Sequence, residues 1–127
     1  MSKPFYIEAM IKSTENIPRE REHMSTIETI AAQLGFALND VKTIIHVLLQ
    51  EADISVLKIE EMFKRHAWEQ IALEAHSIKG SASNMQLSEL TELSTALEIV
   101  AEQQDSQQVE ILINNIKSSL QQLHQQL

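Results

Sequence analysis

The segment around His76 places a nucleophile, a cation and a residue without a side chain close together. Lys79 and Gly80 follow His76 by three and four positions, so on a helix both lie beside it, one turn further along. An imidazole nitrogen is a competent nucleophile near neutral pH, and a neighbouring ammonium group can neutralise phosphoryl oxygens. Glycine inside a helix costs about 1 kcal/mol relative to alanine, so Gly80 indicates that something must approach the backbone closely.

Helical geometry predicts that this imidazole is exposed. At about 100° per residue, His76 lies roughly 130° from the centre of the apolar stripe of its helix. The surface for close approach and docking is predicted to comprise Gly80, Ala72, Leu73 and Ser83. No metal ligand set is expected here. The alternative is an ordinary surface histidine next to a lysine, without function.

The elements that position this segment are helices. Apolar residues recur at steps of three and four along four stretches, and the connections between the stretches are only a few residues long, which forces antiparallel neighbours. We predict an all-α fold, with an antiparallel up-down four-helix bundle over residues 36–127 and an additional N-terminal helical segment, residues 1–35, packing on it. The stripes consist of Val41, Ile44, Ile45, Leu48, Ala52, Val56, Ile59 and Phe63; Trp68, Ile71, Ala75, Ile78, Ala82 and Met85; Leu90, Leu93, Leu97 and Val100; Val109, Leu112, Ile113, Ile116, Leu120 and Leu123.

Several residues predict where the helices begin and end. Asn39 and Asp40 are good residues for a helix start, and Asp105 is a competent N-cap. In the N-terminal segment, Pro18 is well suited to open a helix and Gly35 to close one.

Composition excludes several classes of function. The 127 residues include no cysteine, and 10 basic against 18 acidic residues give a net charge of −8. Disulfides and cysteine chemistry are therefore absent, and binding to nucleic acid or anionic membranes is disfavoured because neither surface attracts an acidic protein. No apolar stretch approaches the roughly 20 residues of a membrane span. We expect a cytoplasmic protein.

Other polar residues are interpreted more simply. His46 is expected to be exposed on its helix, and His66 to help end one. Glu98 either approaches His76 from the neighbouring helix or is a plain surface carboxylate. Trp68 is expected in the core rather than at a ligand.

Residues 75–82, with the sequence AHSIKGSA, resemble the signature of histidine-containing phosphotransfer (HPt) domains, His-x-hydrophobic-Lys-Gly-Ser-small. Leu90 and the pair Leu97-Glu98 fall where the family has its leucine and its Leu-Glu, and the resemblance covers about residues 36–124. One departure is Gln86, which stands where the family commonly has a glycine. A glycine there would supply a positive φ for the turn, and Asn84 is the residue expected to supply it instead.

The resemblance implies a phosphorelay intermediate rather than a kinase. His76 would accept a phosphoryl group on Nε2 from a receiver-domain phosphoaspartate and pass it to another receiver aspartate. Lys79 would interact with the phosphoryl oxygens, and Gly80 would leave room for the incoming receiver. The implied partners are response-regulator receiver domains and a hybrid sensor kinase, with Mg²⁺ supplied by the receiver and no cofactor on this chain, which is expected to be a monomer.

Two rival interpretations belong to other functional classes. A helical adaptor could bind a signalling partner through the same surface without phosphorylation, and it would not need an imidazole. A metal-binding or hydrolytic bundle is less favoured, because diiron bundles require inward-facing Glu and Glu-x-x-His pairs that these stripes do not contain.

Overall fold

The computed structural model describes residues 26–127, and this range contains five helices and no strand. The helices are α1, Thr26–Leu34; α2, Leu38–Lys64; α3, Trp68–Asn84; α4, Ser88–Glu102; and α5, Ser106–Gln125. Each of α2, α3 and α4 packs against its successor in the chain, and α5 also packs against α2. Because the connections are short, successive helices run antiparallel, and the predicted all-α bundle is confirmed.

Helix α1 shares the hydrophobic core of the bundle. It packs against α2 and buries three apolar side chains in the common core: Ile27, Ile30 and Ala31. Gly35 ends this helix as predicted, with φ +74°, and the backbone N–H groups of Gly35 and Phe36 both donate to the carbonyl of Ala31. The predicted helix start at Pro18, and the rest of residues 1–25, lie outside the described residues.

The predicted apolar stripes form the core, with one clear exception on α2. Ile44 is 44% exposed, because it lies about 100° around the helix from the fully buried Ile45. Trp68 is partly buried against the core. Its ring packs edge-on against that of Phe63, with the ring centroids 6.0 Å apart. The largest fully buried side chains are Ile27, Ile45, Leu49, Ile59, Ile71, Leu87, Leu90, Leu97 and Ile116.

Helix α2 begins slightly earlier in the chain than predicted. The helix begins at Leu38, and the capping residue Ala37 provides no side-chain hydrogen bond. Asn39 and Asp40 therefore lie within the first turn, where the negative charge of Asp40 interacts favourably with the helix dipole. At α5 the prediction is confirmed, since the side chain of Asp105 accepts a 3.2 Å hydrogen bond from the backbone N–H of Gln108.

Three turns of one geometry connect the bundle helices. His66, Gln86 and Gln104 have φ values of 56°, 59° and 58°, so each chain reversal contains a non-glycine residue in the left-handed region. The next backbone N–H then bonds a carbonyl five residues back, in the pairs Ala67–Met62, Leu87–Ala82 and Asp105–Val100. The expectation for Asn84 was wrong: it is the last residue of α3, and Gln86 itself adopts the positive φ.

Candidate functional site

His76 lies on the solvent-facing side of α3. Its side chain is 62% exposed, in agreement with the orientation predicted from the helical period. The opposite face of α3 is anchored in the core by Ile71, Ala75, Ile78 and Ala82. The buried stripe therefore fixes the rotation of α3, and this rotation presents the imidazole to solvent.

Glu98 of α4 connects the two candidate chemical groups of α3. Its carboxylate oxygens lie 3.3 Å and 3.2 Å from Nδ1 of His76. One of them, Oε1, also lies 3.4 Å from Nζ of Lys79. A single carboxylate from the adjacent helix thus contacts both the imidazole and the ammonium group.

The environment of Glu98 favours its ionised form. Burial works to raise the pKa of Glu98, but hydrogen bonds from His76 and Lys79, together with the charges of these groups, lower it, and the pKa lies below its ordinary value. Only 22% of the side chain is exposed. The carboxylate is therefore a charged acceptor at neutral pH.

An ionised carboxylate can only accept hydrogen bonds. The contact with Glu98 therefore requires Nδ1 of His76 to carry the proton, and in the neutral imidazole this leaves the lone pair on Nε2. The contact holds the ring through Nδ1 and leaves Nε2 as the nitrogen with a free lone pair.

The predicted docking residues differ in their exposure. Leu73 is 68% exposed, and Gly80 and Ser83 are exposed as well. A Cβ atom added at Gly80 would meet no atom within 4 Å, so the surface beside the ring is open. Ala72, in contrast, is only 6% exposed, although it lines the cavity beside His76.

An open cavity of about 610 Å³ adjoins the imidazole on the side of the α4–α5 turn. Ala72 and Ala101 are its buried apolar lining, and exposed Leu73 forms another part of the wall. Three glutamates and one glutamine complete the lining beside His76: Glu69, Glu98, Glu102 and Gln104. The sequence identified Glu98 as a possible neighbour of His76, whereas Glu102 and the Lys79–Glu98 pair depend on the register between helices. Glu69 was also missed, although the helical period alone places it on the His76 face, two turns earlier.

The other singled-out histidines lie elsewhere. His46 is exposed on α2, as predicted. His66 follows the end of α2, also as predicted, and its ring stacks on Trp68 at a centroid distance of 5.2 Å. Within residues 26–127, no group of three or more His, Asp or Glu side chains is arranged to hold a metal ion. No helix in this range is long and apolar enough to cross a membrane.

Comparison with known proteins agrees with this site. The model of the Hpt domain family matches residues 43–126, a range that contains His76, Lys79, Gly80 and Glu98. No curated protein and no solved structure matches the chain significantly. The family match covers more than half of the chain and includes most of α2 and all of α3, α4 and α5. The chain therefore belongs to the family of Hpt domains, the phosphocarrier modules of phosphorelay signalling.

Proposed function

We propose that this protein is a phosphorelay intermediate whose phosphorylated residue is His76. The phosphoryl group would come from the phosphoaspartate of a response-regulator receiver domain and would pass to the aspartate of another receiver. The observation that carries this proposal is the exposed imidazole of His76, whose Nδ1 contacts Glu98 and whose Nε2 is left as the nucleophile.

The transfer follows from this arrangement. The lone pair of Nε2 attacks the phosphorus atom of the acyl phosphate, a P–N bond forms, and the P–O bond to the receiver carboxylate breaks. The receiver aspartate leaves with the electron pair of that bond. Positive charge develops on the ring during attack, and the carboxylate of Glu98 at Nδ1 counterbalances it. The same steps in reverse deliver the phosphoryl group to the second receiver.

Lys79 and Gly80 would serve the incoming group in different ways. The Lys79 ammonium, which pairs with Glu98 at 3.4 Å, is close enough along the helix to interact with phosphoryl oxygens on His76. Gly80 leaves the backbone bare one turn beyond the ring, and Ser83 extends this open surface. The receiver domain would supply Mg²⁺, and this chain would need no cofactor.

The partners are proposed from the same chemistry. A hybrid sensor kinase would supply the phosphoryl group through its receiver domain, because the chain is proposed to carry phosphate without kinase activity of its own. Such a relay operates in the cytoplasm. His76, Lys79 and Glu98 all belong to one chain, which supports a monomer as the working unit.

Label transfer from phosphorylated receivers tests the proposal. The purified chain is incubated with each receiver domain of the source organism after phosphorylation with labelled acetyl phosphate. We expect label on the wild-type chain from at least one receiver, no label on His76→Gln, and unchanged transfer to His46→Gln, the matched exposed histidine. Lys79→Ala should slow transfer while the helical circular dichroism stays unchanged, since Lys79 lies outside the core.

The same experiment separates the carrier from an adaptor. An adaptor would bind a receiver without taking up label, and its binding would survive the His76→Gln substitution. Failure of every receiver to label the wild-type chain would overturn the proposed function.

A further inference from the structure

The cavity beside His76 has the lining expected for a long basic side chain. Leu73 offers exposed apolar surface, and Ala72 and Ala101 offer buried apolar surface. Glu69 and Glu102 add two exposed carboxylates to the lining. Within residues 26–127, neither of these carboxylates forms an ion pair. Lysine and arginine combine an apolar stem with a charged head, and this combination matches the cavity.

The charge around His76 differs between the two directions along α3, negative towards the cavity and positive towards Lys79. Glu69, seven residues before His76, lies on the cavity side. Lys79, Gly80 and Ser83 follow His76 on the other side and provide one cation and open, uncharged surface. The cavity therefore repels a phosphoryl group or a partner carboxylate, whereas the Lys79 side attracts them.

We infer that the cavity receives a lysine or arginine side chain of the docking receiver and so fixes the orientation in which the receiver binds. The charged head would lie between Glu69 and Glu102, and the stem would pack on Leu73. This inference rests on the proposed function. The complementary charges would act mainly on association and partner choice, since they lie at the edge of the contact around the reacting nitrogen.

The test compares phosphotransfer to the Glu69→Gln/Glu102→Gln double variant with transfer to the wild type. Glu110→Gln is the matched control, because Glu110 is exposed on α5, which is not a packing neighbour of α3. The donor is whichever phosphorylated receiver labels wild-type His76. Rates are measured at about 0.01 M and about 1 M salt, where charges are screened over about 30 Å and about 3 Å.

We expect KM of the double variant to rise roughly three- to tenfold at low salt, with kcat unchanged, because ion pairs between exposed groups are weak and act mainly on association. The difference should shrink at high salt, and the control should match the wild type. Charge reversal at both positions should be rescued by a receiver in which one surface lysine or arginine is replaced by glutamate.

The inference is overturned if KM of the double variant stays at the value of the Glu110→Gln control at low salt while His76 is labelled normally. Absence of label on wild-type His76 is a different result, since it would overturn the proposed function itself. Both glutamates are exposed, so unchanged circular dichroism verifies that the variants retain the fold.

Discussion

Nδ1 of His76 lies 3.2 Å from Oε2 of Glu98, a residue 22 positions later in the chain and on the neighbouring helix. The same carboxylate lies 3.4 Å from the ammonium group of Lys79. The imidazole and the cation proposed to stabilise its phosphoryl group thus share one anion. A phosphoryl group arriving on Nε2 would compete with Glu98 for Lys79, while Glu98 keeps its contact with Nδ1.

Replacing Glu98 should change the tautomer of His76. In Glu98→Ala the acceptor for the Nδ1 proton is lost, so the proton should move in part to Nε2 and make that atom non-nucleophilic. We expect phosphotransfer to slow roughly three- to tenfold, the effect of removing a partly exposed hydrogen bond to a charged group. Nitrogen-15 NMR of the His76 ring, at a pH where it is neutral, measures the tautomer directly.

Glu98→Gln distinguishes the hydrogen bond from the charge. The amide oxygen can still accept from Nδ1, so this variant should retain more of the Nδ1–H tautomer than Glu98→Ala does. Identical tautomer populations in wild type and Glu98→Ala would show that Glu98 does not orient the ring.

The lowered pKa of Glu98 predicts a pH dependence of stability. A carboxylate whose pKa is lower in the folded chain than in the unfolded chain contributes stability that is fully present above the unfolded value of about 4.3. This contribution is lost as pH falls through the folded-state pKa. Wild-type protein should therefore lose more free energy of unfolding between about pH 5 and pH 3 than Glu98→Gln does.

Urea denaturation across this pH range measures the difference. Glu110→Gln controls for the loss of one exposed carboxylate on α5, which is not a packing neighbour of α3. Parallel stability curves for wild type and Glu98→Gln would contradict the predicted contribution of Glu98.

Gly80 is expected to lower the stability of the fold while keeping the surface of α3 open to the receiver. Alanine is the better helix former by about 1 kcal/mol, and a Cβ at this position meets nothing within 4 Å. Gly80→Ala should therefore raise the free energy of unfolding by about that amount. Gly80→Leu should also fold, but its side chain would obstruct the receiver and reduce phosphotransfer sharply.

Thermal denaturation and label transfer, measured on the same samples, separate the two effects. Ser118→Leu places the same side chain at an exposed position of α5, where we expect transfer to remain normal. Full activity of Gly80→Leu would show that no partner approaches this part of α3.

Replacing Gln86 with glycine should stabilise the folded protein. Its φ of 59° costs an ordinary L-residue about 1–2 kcal/mol, and glycine avoids this cost but loses some of the gain through the greater entropy of the unfolded chain. We expect Gln86→Gly to raise the free energy of unfolding by about 0.5–1 kcal/mol.

Chemical denaturation measures the free energy of unfolding of Gln86→Gly, and Gln122→Gly is the matched control. Gln122 lies inside α5 with helical backbone, so glycine there should lower stability. A decrease for both variants would indicate that the turn tolerates glutamine without strain.

The buried and exposed faces of the individual helices follow from the local order of residues alone. Spacings of three and four identified the stripe that buries Ile71, Ala75 and Ile78, and the same period placed His76 on the opposite side. Both inferences are local, because the angle between two residues of one helix depends only on their separation. The all-α class and the short antiparallel connections followed from the same stripes.

The way the helices lie against one another depends on packing between residues far apart in the chain. The contact of Glu98 with both His76 and Lys79, the burial of Ala72 towards α4, and the position of Glu69 and Glu102 around one cavity all depend on the rotation and axial offset of α3 relative to α4. An apolar stripe shows which face of a helix is buried but not its register with a neighbour, which is set by the interlocking of side chains from both helices.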